Sequence, residues 1–272
     1  KTAGPFLISA PRSGTFISRT NPPTVLIFPF HMHEKVQSRI IFKLINYERN
    51  KALLTDVPHF RFLDLAIVFN CLIGIDPDDI SQSFSEEKIS CSPSASGSSA
   101  TILIHNHHLS FWNITKDDLY ALACKNTPDL QHYELRNMSD VLKELLSDDD
   151  SSAILAPPAP FPMYVLSNHT KLNGSACILY QDLLKKFAEH LRSDLYILPS
   201  SIHEVLIIPV NSFATPADPL LSSANSPADT RQQSYRELSE MVQEVNATQL
   251  STEDILSDHV YYYSRESSRI TM

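Results

Sequence analysis

The chain has 272 residues, 43% of them hydrophobic, with 13 Phe and 10 Tyr, so it can bury a core of one large domain or two small ones at roughly 150 residues each. A net charge of -9 and a pI near 5.6, with no Lys/Arg cluster to offset them, exclude a scaffold that grips a polyanion through phosphate contacts. Only 5 Gly stand against 18 Pro, and no Gly-rich strand-to-helix turn occurs, which excludes the P-loop and the dinucleotide fingerprint; no cofactor is expected.

Residues 1–30 lack an initiator Met and mix Pro, Ser and Thr with short apolar clusters, as in an arm or a fragment edge. The apolar order over 39–47 predicts a strand and 48–55 a short helix stopped before Pro58. The run 63–73 is apolar apart from Asp64 and Asn70, which predicts a central strand buried on both faces. Residues 76–99 are polar and Ser-rich and read as a flexible loop, after which 101–104 returns as a strand beside 65–69. Ile114, Thr115 and Asp118 supply a staple, an N-cap and an acid at N3, opening a helix that reaches about Lys125; a second helix covers 138–146.

The four prolines of 153–162 make this segment the candidate linker between a first half at 31–152 and a second at 163–272. The second half reads as a strand at 163–166, an amphipathic helix at 180–191, and a hairpin of 195–198 with 205–208. A Pro/Ser/Ala loop at 211–229, a helix at 232–245, a repeat of the staple-and-cap pattern at 250–255 and a strand at 259–263 complete it. Helices and strands mix without βαβ alternation. The expected class is α+β, with mixed, largely antiparallel sheet elements, amphipathic helices and room for two subdomains.

Three constellations invite chemistry. Ser200, Ser201, His203 and Glu204 place a nucleophile, a base and an orienting acid on one hairpin loop, although no Gly-x-Ser-x-Gly elbow is present; turn residues bonding their own backbone are the plainer account. His105 and His107 would share one face of a strand as metal ligands while His108 points away, which aligns two ligands at most, so no metal is expected. For ligand binding the candidates are Asp64, His59, Asp258 and His259, with Arg61 or His59 as the natural partner of Asp64 and with Asp258 and His259 on opposite faces of a strand.

No run approaches 18 apolar residues and no basic-then-apolar leader opens the chain, so neither a membrane span nor a signal peptide is expected. With four widely spaced cysteines that form no disulfide framework, a cytoplasmic location follows.

The segments 41–48, 56–59 with 62–69, 101–104, 163–168, 196–206 and 256–261, in that order, resemble the bacterial domain of unknown function family numbered 5688, from about His33 to the end. The resemblance implies no activity, cofactor or catalytic residue. The expected function is therefore a non-enzymatic intracellular binding or regulatory module with a protein or small-ligand partner. The alternatives are a hydrolase built on Ser200 or Ser201 with His203, and an inactive truncated remnant.

Overall fold

The computed structural model describes residues 34–73, 100–147, 161–199, 201–213 and 227–272. The arm at 1–30 and the loop at 76–99 lie outside them, as do residues 153–160 of the linker and 214–226 of the second loop.

After a single helical turn (α1, Glu34–Gln37), β1 (Ile40–Asn46) runs antiparallel to the nine-residue β3 (Leu65–Ile73), pairing Ile40 with Cys71 and Asn46 with Leu65. Between them come the short helix α2 (Lys51–Leu54) and β2 (His59–Phe62). The other edge of β3 is shared end to end: β2 pairs with its first half, from Leu65 to Val68, and β4 (Ala100–Leu103) with its second, from Asn70 to Ile73. β4 therefore returns beside the far end of β3, not beside 65–69 as its sequence had suggested.

β3 is buried on both faces, as its apolar run demands. Leu65, Ile67 and Phe69 point with Ile40, Phe42 and Leu44 into the main core, while Ala66 and Val68 pack on the other side with Ile45, Leu54 and Val57. The outer edge of β1 is covered by the helix α4 (Lys116–Leu130), which follows α3 (Asn106–Trp112). Thr127 Oγ1 accepts from Phe42 N at 3.0 Å, and Asn126 Nδ2 donates to Ile40 O at 3.1 Å. These edge contacts hold the last turn of α4, which continues through Pro128 beyond the expected end at Lys125; tertiary bonds outweigh the local cost of proline there.

The second sheet is antiparallel throughout. It has six strands in the order β10 (Arg269–Thr271), β9 (Tyr261–Ser264), β7 (Leu195–Leu198), β8 (Val205–Pro209), β6 (Tyr164–Asn168), β5 (Tyr133–Asn137). β5 and β10 went unread in the sequence because each is short and half-exposed, with no clear alternation. Between β5 and β6 lies α5 (Met138–Ser147), as expected. The helix expected at 180–191 is α6 (Leu183–Leu191), preceded by a 3-10 helix at Gly174–Leu179.

Alternate residues of β7 divide two cores. Leu195 and Ile197 join the main cluster, which also holds Ile40, Phe42 and Leu119, so the main core draws on both sheets. Tyr196 and Leu198 face the long helix α7 (Pro227–Thr248) through Leu238 and Val242. The staple-and-cap pattern at 250–255 yields only a turn, in which Ser251 Oγ donates to Asp254 Oδ2 at 2.7 Å. The architecture is α+β. No helix among the described residues is long and apolar enough to cross a membrane.

Left-handed backbone is taken up without glycine at Leu63, Asn113, Lys171, Asn173, Asp182, Arg192 and Ser268. The one glycine among the described residues, Gly174, serves a close approach instead: a Cβ there would sit 2.2 Å from Ser167 Oγ and 2.5 Å from His203 O. Gly174→Ala is expected to destabilise the protein by about 1–3 kcal/mol through overpacking against backbone. Arg192→Gly, at the exposed left-handed end of α6, is expected to stabilise it by about 0.5–1 kcal/mol. Urea unfolding of the two variants checks the opposite signs.

Candidate functional site

The hairpin loop between β7 and β8 is tied down by its own polar groups. Ser200 lies outside the described residues. Ser201 is buried, and its Oγ accepts from His203 N at 3.0 Å, the hydrogen bond of a serine turn. The His203 ring faces Asp254 Oδ1 at 3.4 Å through Nε2 and accepts from Asn173 N at 3.4 Å through Nδ1. Ser175 and Ser167 hydroxyls donate to Ile202 O at 2.7 Å and His203 O at 2.8 Å, while Glu204 is exposed. An acid from elsewhere does meet the histidine, but among the described residues both ring nitrogens face groups other than a serine hydroxyl.

Asp64 sits in the two-residue turn between β2 and β3, beside Leu63 in the left-handed region. Its partners are neither Arg61 nor His59. Arg61 Nε donates to Leu63 O at 3.1 Å with its guanidinium 4.5 Å above the Tyr47 ring, and His59 Nδ1 lies 3.0 Å from Val57 O. Asp64 instead accepts from Ser257 Oγ at 2.7 Å and from the Tyr261 hydroxyl, both fully buried residues. Burial, reinforced by the Asp64 charge and hydrogen bond, holds the Tyr261 phenol well above the usual tyrosine range, so it stays protonated and donates.

Asp258 lies just ahead of β9, where it accepts from Asn246 Nδ2 at 2.8 Å and pairs with Arg49 at 3.3 Å; the His259 side chain is exposed. Asp64 and Asp258 thus bond groups from distant parts of the chain, whereas His259 contributes its backbone N–H, which donates to Ser257 Oγ at 3.0 Å.

His105, His107 and His108 do not lie on a strand. β4 ends at Leu103, and His105, in extended conformation, is the N-cap residue of α3. The backbone reason is the meeting of β2 and β4 on one edge of β3: Asn106 N donates to Asp56 O at 2.8 Å, and His105 Nδ1 lies 2.7 Å from Asp56 Oδ2, clamping the two segments together. His108 Nδ1 accepts from His105 N at 2.9 Å, which requires that nitrogen to be unprotonated. The His107 and His108 rings lie 4.0 Å apart, and His108 stacks on Trp112 at 5.3 Å.

At about 100° per residue, positions 107, 111, 108 and 112 fall within an arc of about 140° on α3. Phe111 belongs to that arc and is 74% exposed. No group of three or more His, Cys, Asp or Glu side chains among the described residues is placed to hold a metal ion. The arrangement offers a face of aromatic and imidazole rings on the helix that follows β4, a strand whose outer edge has no strand partner among the described residues and whose Ile102 is 52% exposed. Sequence reasoning missed Phe111 and Trp112, although their spacing from His107 and His108 is helical.

A model of a family of unknown function (DUF5688) matches residues 15–90, 88–219 and 227–265. The chain belongs to this family. No curated protein and no solved structure matches it. The family match spans the first sheet, the helical face and the second sheet apart from β10.

The His108 pKa is lowered by burial and by the neighbouring His107 and His105, with Asp56 opposing; His169 is also lowered, chiefly by burial. A folded pKa below the unfolded value of about 6.5 means that the unfolded chain binds the proton more readily. Stability is therefore complete above about 6.5 and declines as pH falls through the folded pKa. The melting temperature is expected to drop between about pH 7 and pH 5, and His108→Asn, whose Oδ1 can still accept from His105 N, is expected to flatten that slope. An unchanged slope in the variant places the acid sensitivity at other groups.

Proposed function

We propose that the chain is a non-enzymatic binding module that takes an extended, apolar segment of a partner protein along the β4 edge and against the ring face of α3. The observation that carries this reading is Phe111, a large aromatic side chain 74% exposed beside two histidines and a tryptophan on the same helix face. An exposed aromatic surface on the helix that follows an open strand edge offers both elements of strand-addition recognition: backbone groups for affinity and an anchor for specificity. The net charge of -9 favours a partner segment with basic flanks.

The candidate catalytic groups support the non-enzymatic reading, since Ser201 and His203 serve their own loop's backbone and its neighbours. An intracellular, bacterial setting goes with it; the described cysteines Cys71, Cys124 and Cys177 are free thiols, which suits a reducing compartment.

Selection of displayed random peptides on the purified chain tests the proposal. Enriched peptides should be extended and apolar, and Phe111→Ala should weaken them at least about tenfold, the loss typical of an interface anchor. Ile102→Lys should also impair them, by charging the strand edge. No enrichment, or peptides indifferent to both substitutions, contradicts it.

A further inference from the structure

The second sheet ends on one side at β5, whose outer edge has no strand partner among the described residues. Where β5 meets β6, Met138 N donates to Met163 O at 2.8 Å and His169 N to His132 O at 2.9 Å. Hydrogen-bonded positions alternate along an antiparallel pair, so Glu134 and Arg136 bond to β6 in the same way. Tyr133, Leu135 and Asn137 therefore turn their backbone N–H and C=O groups outward, away from β6.

An open edge is a template for another strand, and the charges along it decide which strand fits. β5 is the one edge strand among the described residues that carries charges of both signs, with Glu134 and Arg136 on either side of Leu135. Their side chains are each 39% exposed and lie on the sheet face opposite that of Leu135. Each already has one ion-pair partner within the chain, Lys171 for Glu134 and Glu144 for Arg136. On the other face Leu135 packs, partly buried, against the main core, and Tyr133 is exposed.

We propose that the β5 edge is a self-association surface, distinct from the β4 edge, at which two copies of this chain pair their β5 strands antiparallel about a two-fold axis through Leu135. In that register Leu135 meets its own copy and exchanges N–H and C=O hydrogen bonds with it, while Asn137 N donates to the carbonyl of the partner's Tyr133. Glu134 then stands opposite the partner's Arg136, and Arg136 opposite the partner's Glu134, at positions where facing side chains approach most closely. Each contact becomes a row of alternating sign, from Lys171 through Glu134 and the partner's Arg136 to the partner's Glu144. On the other face the two Leu135 side chains meet, with Tyr133 diagonal to the partner's Leu135. The same pattern selects the register, since a pair centred on Glu134 or on Arg136 would set like charges face to face.

Sedimentation velocity on the full chain tests the proposal, at about 0.15 M salt so that the net charge of -9 is screened. Between about 1 μM and 1 mM the chain should pass from monomer to dimer, as expected of a small interface. Glu134→Arg and Arg136→Glu each set like charges opposite one another, so each variant should stay monomeric at concentrations where the parent chain is dimeric. Mixed in equal amounts, the two variants should dimerise again, because each altered row then faces the opposite charge. The ion pairs lost within the chain are exposed, and both variants should melt close to the parent. Hydrogen exchange on the unsubstituted chain is the independent measure: protection of the Leu135 and Asn137 amides should rise with protein concentration. A parent chain that is monomeric throughout, a dimer that survives both single substitutions, a mixture that stays monomeric, or exchange at Leu135 that ignores concentration overturns the proposal.

Discussion

A carboxylate at the tip of one hairpin holds the two ends of the described chain together. Asp64, in the β2–β3 turn, accepts hydrogen bonds from Ser257 and Tyr261, 193 and 197 residues further along. Both donors are fully buried, so neither hydroxyl has water as an alternative, and the carboxylate supplies the acceptor each needs. Around this contact the first sheet and the same late segment are stitched again: Asn46 Nδ2 donates to Leu256 O at 2.8 Å, and Arg49 pairs with Asp258 at 3.3 Å. The first sheet thereby fixes the approach to β9, and β9 in turn carries Tyr261 and Tyr263 into the core that both sheets share. The β2–β4 edge that presents α3 is built on the same β3 strand that this turn begins.

Much of the fold was legible because hydrophobic periodicity is local. The two-sided burial of β3, the staple and cap opening α4, where Thr115 accepts from Asp118 N at 3.2 Å, and the β7–β8 hairpin all followed from residue types in order. What failed was punctuation. The β2–β3 turn is made by Leu63 in the left-handed region, where glycine or asparagine is the expected signal, so nothing local separates the strand at His59–Phe62 from β3. The scarcity of glycine is resolved in the same way: Asn, Asp, Lys, Arg, Ser and Leu occupy the left-handed positions, and Gly174 is kept for contact with the backbone of the 203 loop.

The site was less legible than the fold, for reasons that differ by residue. Asp64 is recognisable as a carboxylate needing a partner, but its donors lie nearly the whole chain away and no local rule links them. His105 and His107 read as part of an extended strand because Thr101 to Ile104 is apolar and nothing marks a stop. The stop is tertiary: Asp56 draws His105 and Asn106 across the gap between β2 and β4, and a helix starts there. Once His107 and His108 are helical, Phe111 and Trp112 come onto their face, and a set of residues that suggested a metal becomes an aromatic surface. Ser201 and His203 show the converse, since adjacency in sequence brings them close only as members of one turn.

The most direct test of this account is native-state hydrogen exchange on Tyr261→Phe. Removing the hydroxyl leaves one oxygen of Asp64 without its donor, a loss of about 1–3 kcal/mol. If the Asp64 contact couples the sheets, amide protection should fall in β3 of the first sheet as well as in β9 of the second, by similar free energies. A loss confined to β9 and its neighbours, with β3 protected as before, would contradict it.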